Sequence, residues 1–222
     1  MRLIRTVRDW TQSHNYCFVL LYFFFYMTVF TLEEQYLRPV VIVRCPLDDL
    51  IPFNSLFIIP YFAWFLLVPA VIGYFMFTSK EEFLDLCFML FTGMTICLAI
   101  YAVVPNGIHL REMITGHDVC SQLVIMLRQV DTATNVCPSI HVFATLGVLM
   151  SVMRSPRFVG KRLLKAFLIV LSVLICLATV FLKQHSVIDL FCGTALAVIM
   201  YHWTYHCNWR RGAVKTPIRG LL

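Results

Sequence analysis

Six apolar stretches dominate this chain of 222 residues: Tyr16–Leu32, Phe53–Phe77, Phe83–Val104, Pro138–Met153, Leu163–Leu182 and Ser186–Trp203. Each runs for roughly 16 to 25 residues, and at about 1.5 Å per residue a helix of that size approaches or exceeds the roughly 30 Å of bilayer hydrocarbon. A backbone in lipid must satisfy its own hydrogen bonds, so such runs fold as helices packed on one another. Hydrophobic residues make up 60% of the chain and charged residues 14%, with a mean hydropathy of +0.80. Those values exclude a water-soluble globule with a charged shell. The reading is an all-α polytopic membrane protein, a six-transmembrane-helix bundle forming one domain over residues 1–222.

Charge sets the orientation. Of the 18 Lys and Arg, thirteen fall on the side of the two termini: Arg2, Arg5, Arg8, Lys80, the cluster from Arg154 to Lys165, and the tail from Arg210 to Arg219. Only Arg38, Arg44, Arg111, Arg128 and Lys183 fall on the other. By the positive-inside rule both termini are cytoplasmic, and the loops Glu33–Pro52 and Pro105–Cys137 face outward, to a periplasmic, extracellular or lumenal space. The expected location is a plasma or cell membrane. A net charge of +6 is accounted for by this belt meeting anionic membrane lipids, and no nucleic-acid partner is expected. The basic start followed by an apolar run looks like a secretory signal, but Thr31-Leu32-Glu33-Glu34 lacks a small-residue cleavage site, so the first span reads as an uncleaved anchor.

Polar chemistry gathers at the outward ends of the spans. Pro138-Ser139-Ile140-His141 opens the fourth span, where a proline in the first turn and exposed N–H groups make an anion site. Ser139 adds a hydroxyl donor and His141 can protonate a leaving alkoxide. His185-Ser186-Val187-Ile188-Asp189 opens the sixth. The i, i+4 spacing puts both side chains on one helix face, so the carboxylate can hold one imidazole nitrogen and leave the other as nucleophile or base. Ionisable groups at membrane depth mark function by default, and Arg111 and Lys183 join these residues near span ends. Between spans three and four, Pro-Asn-Gly signals a turn, and Ser121–Val130 has a helical apolar pattern too polar to span, expected to lie in the interface over the mouth of the bundle.

These motifs, from Pro105 to Asp189, resemble the type-2 phosphatidic acid phosphatase and haloperoxidase superfamily, in its membrane branch. Its signature is an Arg-Pro phosphate motif, then Pro-Ser-x-His, then an Arg upstream of His-x-x-x-Asp. The resemblance implies that His185 attacks phosphorus to form a phosphohistidine, Asp189 orients it, His141 protonates the leaving group, and Ser139 and Arg111 hold the phosphate. Departures narrow the likeness. Arg111 is followed by Glu112 instead of proline, Val104 stands where a lysine is expected, and Ala178-Thr179 replaces the usual Ser-Arg. Lys183 would supply the missing positive charge, with Arg128 in reserve. Ile140 in the third position of the second motif is similar to the inositol phosphorylceramide synthase-like branch, and sphingomyelin synthases share the reduced third motif.

The implied activity is a metal-independent lipid phosphatase, with a lipid phosphate as substrate and no cofactor. A phosphotransferase of the inositol phosphorylceramide or sphingomyelin synthase type is the alternative, and the small outward loops favour water as acceptor. A transporter using the His–Asp pair as a proton relay and a non-catalytic lipid-binding relative are rival readings. No metal is expected, since His109, His117, Asp118, His141 and His185 match no ligand spacing. His202 and His206 sit in an aromatic belt. Of the nine cysteines, Cys45, Cys120 and Cys137 face outward and could supply one disulfide.

Overall fold

The computed structural model describes residues 14–207 together with Trp209 and Arg210. The basic residues Arg2, Arg5, Arg8, Arg211, Lys215 and Arg219, which weighed in the orientation, lie outside the described residues.

A 3-10 turn at Asn15–Leu21 leads into α1, Tyr22–Tyr36. A short α2, Leu47–Leu50, precedes α3, Ile58–Thr78, and α4, Lys80–Val103. Then come α5, Val119–Val130; α6, Ile140–Arg154; α7, Arg162–Phe181; and α8, Val187–His206. The starts are set by local chemistry. Asn54, Ser79, Asp118, Ser139 and Ser186 each place a side-chain oxygen on a backbone N–H of the following turn, and Glu81 and Glu82 sit at the positive end of α4.

The chain is an all-α membrane protein. Among the described residues, five helical segments are long and apolar enough to cross a membrane: Asn15–Tyr36, Ser55–Thr78, Lys80–Val103, Arg162–Phe181 and Val187–His206. The fourth apolar run forms a helix shorter than these five. Its helix α6 has 15 residues, about 22 Å of rise. Ser139 caps it at one end, and at the other Ser155 leaves helical geometry and caps the turn Pro156–Phe158 instead.

Short as it is, α6 is the hub of the bundle, packed against α3, α4, α7 and α8. Two glycines permit the close approach. A Cβ on Gly93 of α4 would fall 2.1 Å from Phe143 Cζ, and one on Gly193 of α8 would fall 2.7 Å from the Ser139 carbonyl oxygen. Small residues at helix contacts do in membranes what hydrophobic burial does in water.

The loops at the Ser139 end are knitted together. Strands β1, Val41–Ile42, and β2, Asn106–Gly107, pair in parallel, and Gly107 forms an antiparallel bridge to Thr134. Helix α5 lies where the apolar pattern of Ser121–Val130 puts a helix, starting two residues earlier. Val124 and Leu127 pack on Ile58, Tyr61 and Leu182, while Val119, Met126 and Val130 are exposed. All nine cysteines are free thiols, so Cys45, Cys120 and Cys137 form no disulfide here.

Candidate active site

Ser186 begins α8 with a reciprocal cap. Its hydroxyl oxygen accepts from the Ile188 N–H at 3.2 Å, and Asp189 Oδ2 accepts from the Ser186 N–H at 2.8 Å. The same Oδ2 lies 3.3 Å from His185 Nδ1. A nearer partner for Nδ1 is the Val136 carbonyl oxygen at 3.0 Å. A carbonyl can only accept, so Nδ1 carries the proton and Nε2 the lone pair. His185 is 7% exposed and Asp189 fully buried.

Val136 is itself held in place. The Asn106 side-chain oxygen accepts from the N–H groups of Val136 and Cys137 at 2.9 and 2.8 Å, and its amide nitrogen donates to the Cys137 and Val104 carbonyls. Tyr101 donates to the Pro138 carbonyl at 2.5 Å. The Ser139 N–H donates to the Asp189 carbonyl at 3.2 Å, which locks the two motifs together. Ser139 is fully buried, and its oxygen accepts from the Val142 N–H at 3.4 Å.

His141 follows in the first turn of α6, with its ring centre 5.8 Å from that of His185. Two aromatic rings of α3 wall it in, Tyr61 at 4.7 Å and Trp64 at 4.5 Å. The Tyr61 hydroxyl donates to Asp131 Oδ2 at 2.5 Å. Among the described residues, His141 Nε2 and Trp64 Nε1 are buried without a hydrogen-bond partner.

The cations divide. Arg111 directs Nη2 to the carbonyls of Asp131 and Thr132, at 2.7 and 2.6 Å, and to Gln184 Oε1. Arg128 donates to the carbonyls of Glu112 at 2.7 Å and Leu182 at 3.1 Å. Neither guanidinium makes an ion pair among the described residues, so main-chain dipoles orient both charges without neutralising them. Burial pushes Arg128 down to about 10, and the charge of Arg111 adds to that push. Arg111 is likewise lowered by burial, against the opposing pull of Asp131. Two neighbouring guanidiniums outside any ion pair, offset in part by Asp131, Glu34 and Glu112, leave room for an anion.

Lys183, expected at the phosphate, is 4% exposed and donates Nζ to the Asp48 carbonyl at 2.6 Å. It is a strut to the loop before the second span. Asp48 completes that contact from the other side: its carboxylate accepts from the Ser186 hydroxyl at 2.7 Å, the Val187 N–H at 2.8 Å and the Cys45 N–H at 2.8 Å. Burial alone would raise this carboxyl, but these bonds outweigh it and hold Asp48 below its ordinary value.

Sequence reasoning brought out His141, His185, Asp189, Ser139 and Arg111, and the structure gathers them at one end of the bundle. It did not bring out Asp48, Tyr61, Trp64, Asn106, Asp131 or Gln184. Tyr61 and Trp64 at i, i+3 on one face of an apolar helix were the available signal. No group of three or more His, Cys, Asp or Glu able to hold a metal occurs among the described residues. A cavity of about 760 Å³ lies at the opposite end, between Ser79 and Arg157; it lies far from both motif histidines, and its walls carry the Arg157–Glu82 ion pair at 2.6 Å.

The family model described as the PAP2 superfamily matches residues 115–213. Comparison with curated proteins and with solved structures gives no match.

Proposed function

Residues 115–213 match the PAP2 superfamily, and from that premise we propose that the chain is an integral membrane lipid phosphate phosphatase. In this reading it hydrolyses a phosphomonoester or diphosphate lipid through a phosphohistidine. Helix α6 completes a six-span bundle with both termini cytoplasmic, and the site faces outward.

The observation that carries the reading is the Val136 carbonyl on His185 Nδ1. It leaves the Nε2 lone pair as nucleophile beside His141. Nε2 attacks phosphorus, the phosphorus–oxygen bond to the lipid breaks, and His141 gives the departing alkoxide its proton. Water then attacks the phosphohistidine as His141 takes a proton from it, releasing phosphate and restoring His185. Arg111, Arg128 and the first N–H groups of α6 stabilise the charge on the phosphoryl oxygens, and the scheme calls for no metal.

Phosphate release by the detergent-purified protein tests this, with phosphatidic acid, phosphatidylglycerol phosphate, a polyprenyl diphosphate and a sphingoid phosphate as substrates. Release that persists in EDTA and vanishes in His185→Ala is the expected result, and equal release by His185→Ala overturns it. The aromatic wall of Tyr61 and Trp64 around His141 supports a second reading, transfer to a lipid alcohol with water held out. A diacylglycerol or inositol acceptor that yields a new phospholipid in place of free phosphate decides for that reading.

A further inference from the structure

Gln184 stands beside the nucleophile and is 1% exposed. Its Oε1 accepts from Arg111. Arginine has no acceptor, so the amide oxygen must face the guanidinium and the NH2 group must face away from it. That group, Nε2, is buried and has no hydrogen-bond partner among the described residues. A buried amide donor left unpaired costs about 1–3 kcal/mol, so an acceptor that comes within its reach is held.

Contacts around the site place Gln184 in it. His185 faces His141 at 5.8 Å, His141 faces Tyr61 at 4.7 Å, and Tyr61 bonds to Asp131 at 2.5 Å. Arg111 then bonds to the Asp131 carbonyl and to Gln184, which precedes His185 in the chain. The ring of contacts closes on itself, with the free lone pair of His185 and the free N–H groups of Gln184 on neighbouring residues.

We propose that Gln184 is a catalytic residue whose Nε2 donates a hydrogen bond to a non-bridging oxygen of the phosphoryl group attacked by His185, with Arg111 fixing the orientation of the amide. No proton is transferred in this contact. The assignment rests on the phosphatase reading and deepens it, since it supplies a donor at the residue next to the nucleophile in a chain whose upstream Ser-Arg is Ala178-Thr179.

Gln184→Glu separates this role from a structural one. The substitution keeps the shape and gives Arg111 a stronger acceptor, so a residue that only positions Arg111 tolerates it. A phosphate donor does not, because the N–H is gone and a negative charge faces the phosphoryl oxygens. Turnover of the wild type's best substrate from the lipid phosphate panel is expected to fall by about 10²–10³-fold, with an unchanged or raised melting temperature. Orthovanadate, which raises the melting temperature of the wild type, is expected to leave that of the variant unmoved. Gln184→Met removes the donor without adding charge and is expected to show the same loss; it also serves if the glutamate variant fails to fold. Turnover within about threefold of wild type and an undiminished orthovanadate shift in either variant overturn the assignment of Gln184 alone. A wild type that neither releases phosphate nor responds to orthovanadate overturns the phosphatase reading, and this assignment falls with it.

Discussion

The Asp48 carboxylate lies 2.7 Å from the Ser186 hydroxyl, across 138 positions of sequence, while the Asp48 carbonyl holds the Lys183 ammonium at 2.6 Å. A single residue of the loop before the second span therefore grips both neighbours of the Gln184–His185 pair. The left-handed backbone at Lys183, φ 58°, shows how tightly the turn between α7 and α8 is folded there.

Asp48→Ala is expected to destabilise the protein by about 2–4 kcal/mol, because it strands the buried Ser186 hydroxyl and takes the acceptor from the half-buried Val187 and Cys45 N–H groups. Asp48→Asn, which keeps one oxygen, is expected to lose less. The pH dependence has a definite sign. The folded-state value of Asp48 is lowered, so its contribution is fully present above the unfolded carboxyl value of about 3.9 and is lost as pH falls below it. Melting temperatures in detergent between pH 7 and pH 3 check this: Asp48→Asn should flatten the acid limb of the wild-type curve.

Much of the fold was legible because lipid imposes it locally. Five of the six apolar runs became helices long enough to span, within a few residues of the expected ends. The His185 and Asp189 pairing was legible for the same reason, since i, i+4 spacing is a property of a single helix. The extent of α6 was legible as well, since the run Pro138–Met153 became Ile140–Arg154 with Ser139 as its cap. Asp48, Asn106 and Tyr61 reach the site across 139, 31 and 70 positions. No periodicity in the sequence marks which backbone groups a distant side chain will find. Lys183 illustrates the converse: its position beside the motif suggested phosphate, and its nearest acceptor proved to be a loop carbonyl.

Gly193→Ala tests the close approach of the two motif helices. The added Cβ would fall 2.7 Å from the Ser139 carbonyl oxygen and 3.2 Å from Val142 Cβ, and backbone at a helix start yields poorly. Overpacking of this kind costs about 1–3 kcal/mol, and turnover is expected to fall further than stability because Ser139 and His141 move together. Gly73→Ala is the control, with no atom within 4 Å of the new Cβ. In that helix position alanine is expected to be neutral or stabilising by about 1 kcal/mol.

Arg111 and Lys183 carry the same charge into different surroundings, and kinetics can separate them. Lys183→Met removes a buried strut, so a lower melting temperature is expected with KM for the lipid phosphate near the wild-type value. Arg111→Ala removes an orienting partner of Gln184 together with a buried positive charge, and a loss of kcat/KM of about 10²-fold or more is expected. A rise in KM for Lys183→Met equal to that for Arg111→Ala would return Lys183 to the phosphate.

Asp189→Asn separates orientation of the nucleophile from its electrostatics. In a His–Asp arrangement where the carboxylate is the sole acceptor for Nδ1–H, an amide can turn the imidazole to the wrong tautomer and reduce turnover by about 10⁴-fold. Here the Val136 carbonyl accepts from Nδ1 at 3.0 Å, closer than Asp189 Oδ2 at 3.3 Å, and Asn106 holds Val136 in place. The tautomer survives the substitution, and what disappears is the negative charge that stabilises positive charge developing on the ring. A loss nearer 10²-fold is therefore expected for Asp189→Asn, against complete loss for His185→Ala. Adding Asn106→Ala should carry the double variant well below the product of the two single losses, because it releases the remaining acceptor. Simple multiplicativity of the two losses would show that Val136 does not hold the tautomer.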